Sequence, residues 1–76
     1  MLDEAFLEEL AALLEVEPSD LTPGFELTSE NWDSLAVVGT IVLIDEHYGI
    51  TVDARALADC QSVEMLGALI AKHRGE

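Results

Sequence analysis

Residues 35–44 read LAVVGTIVLI. This run is far shorter than the ~20 apolar residues that span a bilayer, so it has to be covered by the chain itself. Together with its neighbours it predicts a helix over about 34–48. Each helical residue advances by about 100°. Leu35, Val38 and Val42 therefore share one side, Ala36 and Leu43 lie near a quarter turn on, and Val37, Ile41 and Ile44 lie across. Only Gly39 and Thr40 interrupt. A helix apolar on all sides is normally buried on all sides, and a chain of 76 residues has few elements to surround it. Either a long loop covers the remainder, or a strip beside Ser34 faces water and marks a contact surface. The outward set is expected at Ala36, Gly39 and Val42, spaced by three.

The rest of the chain supplies the cover. Residues 2–14 predict an amphipathic helix, with Leu2, Phe6, Leu10, Leu13 and Leu14 recurring at spacings of three and four and Leu7 at the flank. Acids crowd its first half, where the helix dipole favours them. Pro18, Pro23 and Gly24 break the pattern, so residues 15–32 form a long connection. A tight turn is expected at 18–21, and Leu21, Phe25 and Leu27 should pin the loop to the core. Asp33 suits an N-cap, Trp32 before it could staple against the first turn, and Gly49 suits a C-terminal stop. Ile50-Thr51-Val52 is too short for a sheet and reads as a connector. Asp53 caps a short helical turn over 54–58. Ser62 caps a last helix over 63–73, with Val63, Leu66, Leu69 and Ile70 on one face. His73 sits where cations meet the helix C-terminus. The expectation is one all-α domain over 1–76, a small four-helix bundle of three longer helices and one short, with a long loop between the first and second helices.

Charge removes several function classes. Sixteen acids stand against three bases, a formal charge of −13. Residues 1–32 contain no base at all. Nucleic acid is excluded as a partner, because phosphate neutralisation needs Lys and Arg; an anionic membrane surface is excluded for the same reason. Basic protein surfaces are attracted. The chain is expected to be a monomer. The lone Cys60 cannot form an internal disulfide and suits a reducing compartment, the cytosol; as a buried small hydrophobe it needs no chemistry. No basic leader region opens the chain.

Ser34 has two readings from pattern alone: an ordinary early residue of the helix behind Asp33, or the bearer of chemistry. A nucleophilic serine needs a base within hydrogen-bond reach. His47 lies roughly 20 Å along the same helix at 1.5 Å per residue, and nothing in the pattern brings His73 close. No Gly-x-Ser-x-Gly elbow occurs. Asp45, Glu46 and His47 are consecutive and point to different sides, as at a solvated helix end, and no Ca²⁺ or Zn²⁺ ligand spacing is present. A metal site is not expected. An acceptor serine modified by another enzyme needs only exposure, and the first turn of a helix suits a phosphate ester.

Asp33-Ser34-Leu35 stands between Trp32 and the apolar helix, with Tyr48-Gly49-Ile50 beyond it and a long acidic loop before it. On these features the chain resembles, over essentially its whole length, the acyl carrier proteins, small acidic helical proteins that carry a 4′-phosphopantetheine arm on a serine. The resemblance implies that Ser34 bears the arm through a phosphodiester, that Asp33 helps the modifying transferase, commonly through its Mg²⁺, and that Leu35 packs or touches partners at the arm's base. The arm's thiol, not Cys60, would hold the acyl group. The protein would be a shuttle and not an enzyme. Its partners would be a phosphopantetheinyl transferase and acyl-activating, acyl-transferring or condensing enzymes with basic or apolar docking patches, met at Ala36, Gly39, Val42, Asp45 and Glu46. Many members have a glutamate five residues after the serine, where this chain has Gly39. Ala36 and Val42 are uncharged as well, which implies docking more by apolar contact, in fatty-acid, polyketide or another specialised lipid pathway. A carrier of aminoacyl or alanyl groups and an unmodified acidic adaptor are the alternatives.

Self-repulsion at −13 opposes the compact state. Added salt or divalent cations should therefore raise Tm in thermal melts; a flat response would contradict this.

Overall fold

The computed structural model describes residues 2–75. Among them stand four α-helices, α1 (Glu4–Leu14), α2 (Ser34–Tyr48), α3 (Ala54–Ala58) and α4 (Val63–His73), with a 3₁₀ turn at Pro18–Asp20. The expected caps are in place. The side chains of Asp33, Asp53 and Ser62 accept backbone N–H bonds from Ala36, Ala56 and Met65, which satisfies donors that a helix start leaves unpaired. Gly49 ends α2 in the left-handed region at φ 67°, where a side chain is strained and glycine is not. Glu15 ends α1 in the same region at φ 61°.

Phe6, Leu10, Ile44, Leu57, Leu66 and Ile70 form the fully buried centre. The connection 15–33 is ordered by backbone pairing with the start of α4. Leu27 N–H donates to Gln61 O (3.0 Å), Val63 N–H to Phe25 O (3.0 Å) and Glu64 N–H to Pro23 O (2.9 Å), and Glu26 bridges Ser62. Leu21 and Leu27 are buried and Phe25 is half-buried, as expected of the residues that pin the loop.

Three expectations change. Ala11, not among the residues expected on the apolar face of the first helix, is a core residue. Thr40, read as a polar interruption, is wholly buried; its hydroxyl donates to the Ala36 carbonyl at 2.8 Å, so its burial leaves no polar group unpaired. His47 is not a solvated helix end. Its ring meets Phe6 edge-on at 5.6 Å and its Nε2 pairs with the Glu9 carboxylate.

Beside it, Tyr48 Oη–H donates to Asp3 Oδ1 at 2.7 Å, and Arg74 lies 5.0 Å over the Tyr48 ring. The start of α1, the end of α2 and the end of α4 thus meet at one pole. Burial, then the bond to the Asp3 carboxylate, pushes the Tyr48 phenol above its ordinary range, while the same bond holds the Asp3 carboxyl below its own. The phenol is harder to ionise in the folded chain than in the unfolded one. Its contribution is therefore intact below the ordinary phenol pKa of about 10 and is lost as pH climbs above it. Tyr48→Phe has no such proton to lose. It should lower Tm at neutral pH and flatten the loss of stability between about pH 9 and about pH 11; melts in which the variant is as alkali-sensitive as the parent would contradict this.

Candidate functional site

The site begins in the loop. Thr28 N–H donates to Asn31 Oδ1 (2.8 Å), Asn31 Nδ2–H to the Glu26 carbonyl (3.1 Å) and Trp32 N–H to the Thr28 carbonyl (2.7 Å). This folded turn delivers Trp32 into the core, where its indole N–H donates to the Leu57 carbonyl at 2.9 Å. The next residue, Asp33, caps α2 by accepting from Ala36 N–H at 2.9 Å. Ser34 follows as the first helical residue, and both it and Asp33 are exposed. The backbone N–H groups of this first turn and the dipole of a fifteen-residue helix favour an anionic ester there.

The structure keeps both histidines away from Ser34. His47 is engaged at the opposite end of α2, and His73 Nδ1–H donates to the Leu69 carbonyl at 3.0 Å in α4. Cys60 is buried, its thiol pointing to the Ala56 carbonyl at 3.6 Å, and burial pushes its pKa up. It is an inert small hydrophobe, not a reactive thiol. Among the described residues no group of three or more His, Cys, Asp or Glu could hold a metal ion, and no helix is long and apolar enough to cross a membrane.

The outward face of α2 differs from the one expected. Ala36 is buried, and Gly39 faces α1: a Cβ there would come within 2.9 Å of both methyl carbons of Leu13. Ala36 is thus covered and Gly39 half-buried. The side that emerges runs through Leu35 (78 % exposed), Val38 (56 %) and Val42 (51 %), and continues into exposed Asp45 and Glu46. Of the expected docking residues, Val42, Asp45 and Glu46 lie on this stripe, and Ala36 and Gly39 do not. Val38 was missed, although the helical wheel already grouped it with Leu35 and Val42. The physical reason is size. Small residues allow helices to approach closely, so Ala36 and Gly39 face their neighbours, and Leu35, Val38 and Val42 are left outward.

The family model described as phosphopantetheine attachment site matches residues 4–70. The chain belongs to this family. It is a carrier of 4′-phosphopantetheine, and the carrier domains of the family bear this cofactor for other enzymes to act on. Neither the curated proteins nor the solved structures give a match.

Asp33→Ala should destabilise the fold by about 1 kcal/mol through loss of the cap, whereas Asp33→Asn, an equally good cap, should leave it within a few tenths. Urea unfolding of the two variants separates the cap from any part Asp33 plays in modification; equal losses would refute the capping account.

Proposed function

We propose that Ser34 is the attachment point and that the protein is an acyl carrier. The observation that carries this reading is the exposed Asp33-Ser34-Leu35 at the capped start of α2, inside the span that matches the attachment-site family. Ser34 Oγ would bond to the arm's phosphorus as a phosphodiester, giving up its proton while the pyrophosphate P–O bond of CoA breaks and adenosine 3′,5′-bisphosphate leaves. Asp33, free on one side of its cap, is placed to meet the transferase and its Mg²⁺. The arm's terminal thiol supplies the chemistry, holding an acyl group as a thioester. The single domain delivers that group to acyl-activating, acyl-transferring and condensing enzymes of fatty-acid, polyketide or specialised lipid synthesis. It works as a monomer in the cytosol and performs no catalysis itself.

Partners dock on the stripe that leads away from the arm. Its first part is apolar, at Leu35, Val38 and Val42, and its far end is acidic, at Asp45 and Glu46. This pattern favours a partner surface with an apolar patch beside a basic one.

Incubation with a phosphopantetheinyl transferase and CoA should add one phosphopantetheine by intact mass, and Ser34→Ala should abolish the gain. A mass that does not change, or a gain that survives the substitution, rejects the assignment. Val38→Glu and Val42→Glu should slow modification or acyl transfer about tenfold, the equivalent of 1.4 kcal/mol, with Tm nearly unchanged; unaltered turnover would remove the stripe from the docking surface.

A further inference from the structure

Taking Ser34 as the attachment point, we infer that Trp32 closes the bundle beside the arm, so that the acyl cargo is carried outside the protein and not within its core. A tethered chain would have its shortest way inward beside Ser34, between the start of α2 and α3. The indole of Trp32 occupies that place. It is two residues before Ser34, 7 % exposed, and its N–H donates to the Leu57 carbonyl of α3 at 2.9 Å. It belongs to one buried cluster with Val37, Ile44, Leu57 and Cys60.

Entry by a chain would require several losses together. The ring would leave its packed surroundings, where protein interiors hold little spare room. The indole N–H would lose its buried partner. The turn that ends in the Trp32 N–H bond to the Thr28 carbonyl would also move. Two open grooves do exist on the surface, of about 300 and about 700 Å³. The first lies along α3 and α4, the second among α1, the loop and α4, and neither is lined by Ser34 or any residue of α2. Both grooves thus lie away from the foot of the arm. Exclusion of the cargo leaves it open to a partner without a prior step of extraction, and makes carriage indifferent to its length.

The test uses the full chain loaded from acetyl-CoA or octanoyl-CoA by a phosphopantetheinyl transferase, with loading at Ser34 read by intact mass. The two forms should have the same Tm, and the backbone amide resonances of Val37, Ile44, Leu57 and Cys60 should coincide. An octanoyl form that melts higher than the acetyl form, or that shifts those amides, overturns the inference. Trp32→Ala should open the core, so that its octanoyl form melts above its acetyl form; equal melting there would also overturn the assignment to Trp32. Trp32→Phe, which keeps a ring in place, should behave as the parent. Should Trp32→Ala fail to fold, the parent's two loaded forms decide the matter. A chain that takes up no arm at all by mass refutes the Ser34 reading itself, an outcome distinct from a loaded chain that stabilises with octanoyl.

Discussion

The cover over α2 is what the other elements are arranged to provide. A helix with apolar residues around nearly its whole circumference is stable in water only when most of that surface is removed from solvent. The helix solves part of the problem by its own sequence. Its smallest residues, Ala36 and Gly39, sit where a neighbour comes closest, and Leu13 of α1 fills the space that a Cβ at Gly39 would need. Thr40 is buried without penalty because its hydroxyl is satisfied inside its own helix. The rest of the cover comes from α3, through Leu57, and from the loop, through Trp32.

Polar interactions then fix the register of this packing at the two ends of α2, by different means. At the C-terminal end, Tyr48 joins Asp3, His47 joins Glu9, and Arg74 stands over the Tyr48 ring. Exposed polar contacts of this kind contribute little each, about 0–1 kcal/mol. Their value is that they tie the start of α1 to the end of α2, where Arg74 of the C-terminal segment faces the Tyr48 ring. At the N-terminal end the tie is the buried Trp32–Leu57 bond and the Asp33 cap. Neither depends on a cation.

Local signals in the sequence carried most of the fold. Asp33, Asp53, Ser62 and Gly49 each mark a helix boundary by a mechanism confined to a few residues, and each boundary stands where that mechanism puts it. Non-local relations were hidden. Nothing in residues 25–27 announces their pairing with 61–63, because a single bridge lacks the alternation that marks a strand. The Thr28–Asn31 turn carried a visible sign, since side chains of this kind bond their own backbone a few residues on, but its consequence, the burial of Trp32, depends on α3. The outward face of α2 was misjudged for a related reason. Periodicity groups residues into faces, and where all faces are apolar it cannot say which one is covered. The placement of the neighbouring elements decides that. The same limit applies to the site: Asp33-Ser34-Leu35 is readable as a motif, while the exposure that makes Ser34 usable is a tertiary property.

The division of labour along α2 bears on how such a carrier works. A serine that receives an arm has to be accessible to a transferase and then to successive enzymes, yet its position has to be the same for each. Exposure and fixity usually conflict, because residues that protrude are held by few contacts. Here the conflict is resolved by separating the two over adjacent residues. Trp32 is held in the core, Asp33 is bonded to the first turn, and Ser34 and Leu35 project from that fixed base. The exposed branched residues then extend the same helix away from the serine, so on the proposed reading a partner that grips Val38 and Val42 would find Ser34 at a set distance and direction. On that reading the apolar surface left uncovered is not a defect of packing in a small domain. Its cost in solvent exposure is concentrated on one stripe, in line with the residue that has to be reached.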